Sequence, residues 1–214
     1  MPSVDDPRRT HDRDSLEFGR VLAFTDGVFA IAITLLVLSL TIPADIAIDD
    51  VAAALWDLRW QVFSFFLSFT VIGAYWLMHH RLVERLARMD RVFVRWNLVQ
   101  LAFVVLLPFP TSLVGAHSGA PVSVATYAVN VALVSALDTW LLVVAVRRRL
   151  FEHVWPREAV RFAVIARGAP VVVFLLSVPL AWVSTSLATW SWILLWPAET
   201  IIARFRPADM DTYA

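Results

Sequence analysis

Arg20-Val-Leu-Ala-Phe24-Thr25-Asp26-Gly27 runs without interruption into the apolar segment Val28 to Ile42. A carboxylic acid about two turns inside a segment bound for hydrocarbon is costly unless it is paired, hydrated or lining a polar path. Asp26 therefore marks an ionisable cluster at the mouth of a membrane helix. Beyond it, Ile31, Thr34, Leu35 and Leu38 recur at spacings of three and four, which places them on one helical face. That face is a candidate pore lining. The same spacing also describes a stripe packed against lipid or neighbouring helices, with Gly27, Ala30 and Ala32 permitting close approach. If several copies of the helix surround an axis, the branched aliphatic side chains form a constriction that excludes water until it widens.

Working outward, the whole chain of 214 residues is 59% hydrophobic, with a mean hydropathy of +0.70. A soluble domain of this size cannot hide that much apolar surface, so an integral membrane protein is expected. The absence of cysteine excludes disulfides, thiolate metal sites and thiol nucleophiles. Met1 to Glu17 is polar and charged, without the apolar core of a removable signal peptide. No nucleotide-binding glycine loop, TVGYG filter or nucleophile elbow occurs, and nothing suggests an enzyme, a cofactor or a nucleic-acid partner.

Crossing the hydrocarbon takes roughly 20 helical residues. Six segments qualify, at 18–42, 55–79, 93–114, 121–146, 162–184 and 187–204, so the expected fold is an all-α membrane bundle. Every one of the eighteen basic residues is arginine, and seventeen occupy alternate connections. Arg8, Arg9, Arg13 and Arg20 precede the first helix, and Arg81, Arg85, Arg88, Arg91 and Arg95 separate the second from the third. Arg147, Arg148, Arg149, Arg157, Arg161 and Arg167 lie between the fourth and fifth, and Arg204 and Arg206 follow the sixth. Cytoplasmic loops carry such an excess, which puts both termini in the cytoplasm. It also favours a hairpin over one long helix between Arg167 and Arg204. Residues 1–17 then form a polar cytoplasmic segment, 18–204 the six-helix domain and 205–214 a cytoplasmic tail. Pro108, Pro110, Pro170, Pro179 and Pro197 shape or kink their helices.

Several side chains could satisfy Asp26: its neighbour Thr25, or Trp76, His79, His80 and Asn97 at the ends of the second and third helices. Such a network would hold three helix ends together. His79 and His80 are adjacent, whereas a helical chelate needs a spacing of three or four, so no metal site is expected. Asp138 lies inside the fourth helix, where Thr139 and Trp140 could satisfy it locally or where it could serve a proton relay. Glu199 is expected to pair with a nearby arginine. Asp45, Asp49, Asp50 and Asp57 make the first outer loop acidic, a charge that would concentrate cations at a pore mouth.

Arg20-x-x-x-Phe24-Thr25-Asp26 resembles the R-x-x-x-F-S-D signature of the transmembrane protein 175 family, the lysosomal and prokaryotic potassium channels. The run Gly27 to Leu38 is similar to its prokaryotic branch, as are Trp76-x-x-His79-His80-Arg81, Asn97-Leu98 and Leu107-Pro108-Phe109-Pro110-Thr111. The resemblance implies a six-helix subunit that assembles as a homotetramer around its first helix in the prokaryotic plasma membrane. It implies that Ile31 matches the narrow constriction, Leu35 and Leu38 the next apolar rings, and Thr34 the hydroxyl linked to cation preference. Arg20, Phe24, Thr25 and Asp26 match the motif that organises the inner end of the pore helix. Thr25 stands where the family has serine, keeping the hydroxyl and adding a stiff β-branched methyl. The function so implied is a potassium-permeable cation channel. The alternatives are a proton-conducting channel, or a carrier or membrane accessory protein that uses its buried acids as a relay.

Overall fold

The Ser15 hydroxyl accepts a hydrogen bond from the Phe18 amide (3.2 Å) and so caps the first helix, α1 (Leu16–Leu35), whose last turn tightens into a 3-10 helix over Leu36–Ser39. The structure, a computed structural model, describes residues 10–42, 47–195, 201–202 and 204–205. A short α2 (Val51–Asp57) precedes α3 (Arg59–Glu84), which is followed by α4 (Arg91–Leu106), α5 (Pro108–Ala116), α6 (Pro121–Arg147), α7 (Arg157–Val183) and α8 (Thr185–Ser191). Asp90 caps α4 through the Phe93 amide (2.8 Å). Pro108 and Pro121 open α5 and α6 at positions where no amide hydrogen bond is needed.

Among the described residues, five stretches are long and apolar enough to cross a membrane: Leu16–Ser39, Arg59–Glu84, Arg91–Ala116, Pro121–Arg147 and Arg157–Val183. The third joins α4 to α5. The apolar run expected to hold the last two crossings is broken at Ser184, whose extended backbone ends α7 and whose hydroxyl caps α8. Past the break the chain doubles back. The Trp192 indole donates to the Ser177 hydroxyl (3.0 Å) and packs against Phe174 and Tyr127. Residues 196–200, with Pro197 and Glu199, lie outside the described residues, as does most of the tail.

Three expectations need correction. The second long helix starts at Arg59 rather than 55, because α2 takes up the preceding residues as a separate turn. The fifth begins at Arg157 rather than 162, so Arg157 and Arg161 belong to α7, as does Arg167, and none of the three to a connection. A small antiparallel ribbon, β1 (Thr10–Asp12) with β2 (Arg88–Asp90), interrupts the all-helical plan. The ribbon ties the N-terminal segment to the loop after α3, helped by the Arg13 amide on the Ala87 carbonyl (2.8 Å) and the Arg13 guanidinium on the Glu84 carbonyl.

Two apolar clusters stack along the bundle. Phe29, Leu36, Ile72, Leu107, Tyr127 and Val131 belong to one, and Phe18, Leu82, Phe93, Leu141 and Leu150 to the other, at the arginine-rich end. The helices differ sharply in burial. In its most apolar window α6 is 61% buried inside the chain and α1 and α7 only 22% each, which makes α6 the central post and leaves α1 and α7 at the edges.

Candidate functional site

The two faces of α1 have opposite fates. Phe18, Thr25, Phe29 and Ala32 are buried and form a seam against α3 and α4. Arg20, Phe24, Gly27, Ile31, Thr34, Leu35 and Leu38 recur at helical spacing on the open side. Ile31 is 57% exposed, Leu35 37% and Leu38 68%, a row of bare aliphatic side chains uncovered within the chain. In a 3-10 turn, residues three apart eclipse one another. The tightening after Leu35 therefore keeps Leu38 in line with it. A Cβ added at Gly27 would meet nothing within 4 Å, so no neighbour in the chain demands glycine there. The Thr34 hydroxyl donates its proton to the Ile31 carbonyl (2.8 Å), which leaves its oxygen lone pairs toward the open side. Thr34 can thus offer an acceptor, the polarity a cation needs.

The buried seam is held by polar contacts as well as packing. Trp76 of α3 donates its indole N–H to the Asp26 carboxylate (2.9 Å), and the His80 ring stacks on Trp76 at 5.4 Å. His80 also reaches Glu84 one turn on (3.2 Å). Asn97 does not meet Asp26; its amide donates to the Thr25 hydroxyl (2.8 Å), tying α4 to α1. His79 turns the other way, into the core beside Phe29. The two histidines therefore diverge, and among the described residues no group of three potential metal ligands forms. Arg20 and Phe24 stand on the open row, outside this network.

Asp138 is not satisfied by Thr139 or Trp140. Its carboxylate accepts from Arg167 (2.6 Å) on one oxygen and from Gln100 (3.4 Å) on the other, while Thr139 bonds back to the Ser135 carbonyl. Arg167 also donates to the Met78 carbonyl (3.1 Å), so α3, α4, α6 and α7 converge on one enclosed ion pair. Gln100 and Arg167 are the residues sequence reasoning missed. Gln100 lies three positions after Asn97 on the same helical face, which was a usable signal. Arg167 is grouped by charge with the connection although it falls inside the expected segment 162–184, and it lies well inside α7.

Residues 20–108 match the family described as endosomal/lysosomal potassium channel TMEM175. A potassium channel of Chamaesiphon minutus is 37% identical over 142 residues, which cover 64% of this chain and 66% of that protein. A crystal structure described as a lysosomal potassium-selective channel TMEM175 homolog from the same organism superposes with a TM-score of 0.71 at 30% identity. That match covers 88% of this chain and 97% of the other. A Danio rerio relative, 34% identical over 46% of this chain and 20% of its own length, is named an endosomal/lysosomal proton channel.

Proposed function

Because this chain belongs to the transmembrane protein 175 family, we propose that it is a potassium-permeable cation channel, with α1 from each of four copies lining a central pore. The observation that carries the reading is the uncovered row Ile31, Thr34, Leu35 and Leu38, on the side of α1 away from its seam with α3 and α4. An edge helix with a bare apolar face invites its own copies. Around an axis, Leu38, Leu35 and Ile31 become successive aliphatic rings, and Thr34 places a hydroxyl oxygen between them. Each ring expels water when narrow and conducts when the helices splay. No carbonyl cage replaces the hydration shell, so potassium is preferred over sodium only modestly, through pore width and the Thr34 oxygen. Thr25 and Asp26 fix the rotation of α1 against α4 and α3, with Phe24 on the open row and Arg20 at the mouth.

The reading includes six crossings per subunit, with residues 1–17 and 205–214 in the cytoplasm and 18–204 in a prokaryotic plasma membrane, as the distribution of arginines supports. A proton-conducting variant of the same pore is the second reading, favoured by the name of the Danio rerio relative. Purified protein in planar bilayers under biionic potassium and sodium distinguishes them. A reversal potential that follows potassium supports the first reading; one that follows an imposed pH gradient and ignores potassium supports the second. Saturable flux without unitary openings would instead indicate a carrier. Ile31→Ala widens the narrowest ring and raises leak conductance severalfold, and an unchanged conductance would place Ile31 away from the pore.

A further inference from the structure

At the arginine-rich end of α7, a cleft of about 440 Å³ opens between this helix, the end of α6 and the loop joining them. Val146, Val160, Val164 and Ile165 form aliphatic walls, Trp155 closes one side, and Arg157 and Arg161 are its charged lining residues. We propose that this cleft binds an anionic glycerophospholipid, with its phosphate between Arg157 and Arg161 and an acyl chain running down the outward face of α7.

The two arginines are four positions apart, hence on one helical face, and both are exposed. A guanidinium presents a planar fork of donors that fits phosphate oxygens in pairs. Glu158, the adjacent acid, is turned about 100° from Arg157 and about 60° from Arg161 around the helix, and does not line the cleft. Trp155 is held rigidly, stacked on Phe151 at 4.8 Å with the Arg85 guanidinium over its ring at 5.9 Å. Tryptophan at this level is the usual marker of the boundary between headgroups and hydrocarbon.

Below the arginines the same face continues through Ile165, Val172, Leu176 and Val183, from 52% to 78% exposed. From Arg161 to Leu176 it extends about 22 Å at the helical rise, more than the roughly 15 Å of hydrocarbon in one leaflet. A free phosphate would have no use for such a row, whereas a lipid uses both parts. The row is also well placed to meet bulk lipid, since α7 packs on α6 and α8, while α1 packs on α3 and α4. The site depends on membrane insertion and not on what the pore conducts.

The test is native mass spectrometry of delipidated protein given equal amounts of palmitoyl-oleoyl phosphatidylglycerol and phosphatidylcholine. Wild type retains phosphatidylglycerol preferentially, and Arg157→Gln/Arg161→Gln loses that preference by about fivefold for each charge removed. Ile165→Trp, which fills the cleft and leaves both charges, also lowers retention, while Arg95→Gln, on another helix, does not. Retention unchanged in the double variant and in Ile165→Trp, or no preference in wild type, overturns the proposal. So does displacement of the lipid by millimolar glycerol phosphate, which would make the headgroup alone the ligand. Should the double variant fail to fold, Ile165→Trp and wild type alone decide.

Discussion

Asp138, at 1% exposure, is held by Arg167 and Gln100, its carboxylate shut away from bulk solvent. Breaking such a pair from one side strands a charge and costs about 3 to 5 kcal/mol, whereas replacing both partners with apolar groups of similar size can be nearly neutral. Arg167→Met is therefore expected to lower the thermal unfolding midpoint of the detergent-solubilised protein strongly, with Asp138→Leu/Arg167→Met recovering most of the loss. Equal losses in single and double variants would mean that the pair is not coupled. Asp26 should respond more gently. In Asp26→Asn the side-chain oxygen can still accept from Trp76, so the loss is that of charge assistance, about 1 kcal/mol, and Asp26→Leu costs more. Thr25, Asp26, Trp76 and Asn97 were legible as a network because each is a polar residue inside a helical hydrophobic run. Their pairing was not, because a one-dimensional pattern does not say which face of α4 meets α1.

At the scale of elements, the contact between α3 and α5 depends on one small residue. A methyl group on Gly115 would stand 2.7 Å from the Ser64 hydroxyl and 3.0 Å from the Gln61 Cα, and the backbone atom cannot rotate aside. Gly115→Ala must push α5 off α3, with an expected loss of about 1 to 3 kcal/mol, read as a lower unfolding midpoint. Adding Ser64→Ala relieves only part of it. Nothing in the sequence singled out this glycine, since its constraint comes from a helix some fifty positions earlier. The long helices themselves were plain in their hydropathy. Their ends were not: charged residues such as Arg157 and Arg161 sit on α7 because a membrane helix can extend beyond the hydrocarbon, where a hydropathy window sees only a loop.

For the whole molecule, the proposed assembly makes a clean demand because the chain has no native cysteine. Ile31→Cys would place four thiols in one ring, and cadmium ions should block its current at concentrations that leave wild type untouched. Leu36→Cys, at a fully buried position on the opposite side of the same helix, should be insensitive. Block at Leu36 with none at Ile31 would turn α1 around. The heavily buried α6 and the bare α1 already divide the subunit into a core and an edge, a distinction that composition alone could not make.

The little ribbon between Thr10–Asp12 and Arg88–Asp90 bears on how such an assembly could move. It fastens the foot of α1 to the body of the subunit only a few residues before the Ser15 cap, while the 3-10 turn at the far end is seated on α3 and α5 with Leu36 fully buried. A rod held at both ends moves only by giving up one of its holds. Tilting α1 in the proposed assembly would thus have to draw Leu36 out of its seat before Leu38 could swing aside, so the outermost ring would part only when that buried contact gives way.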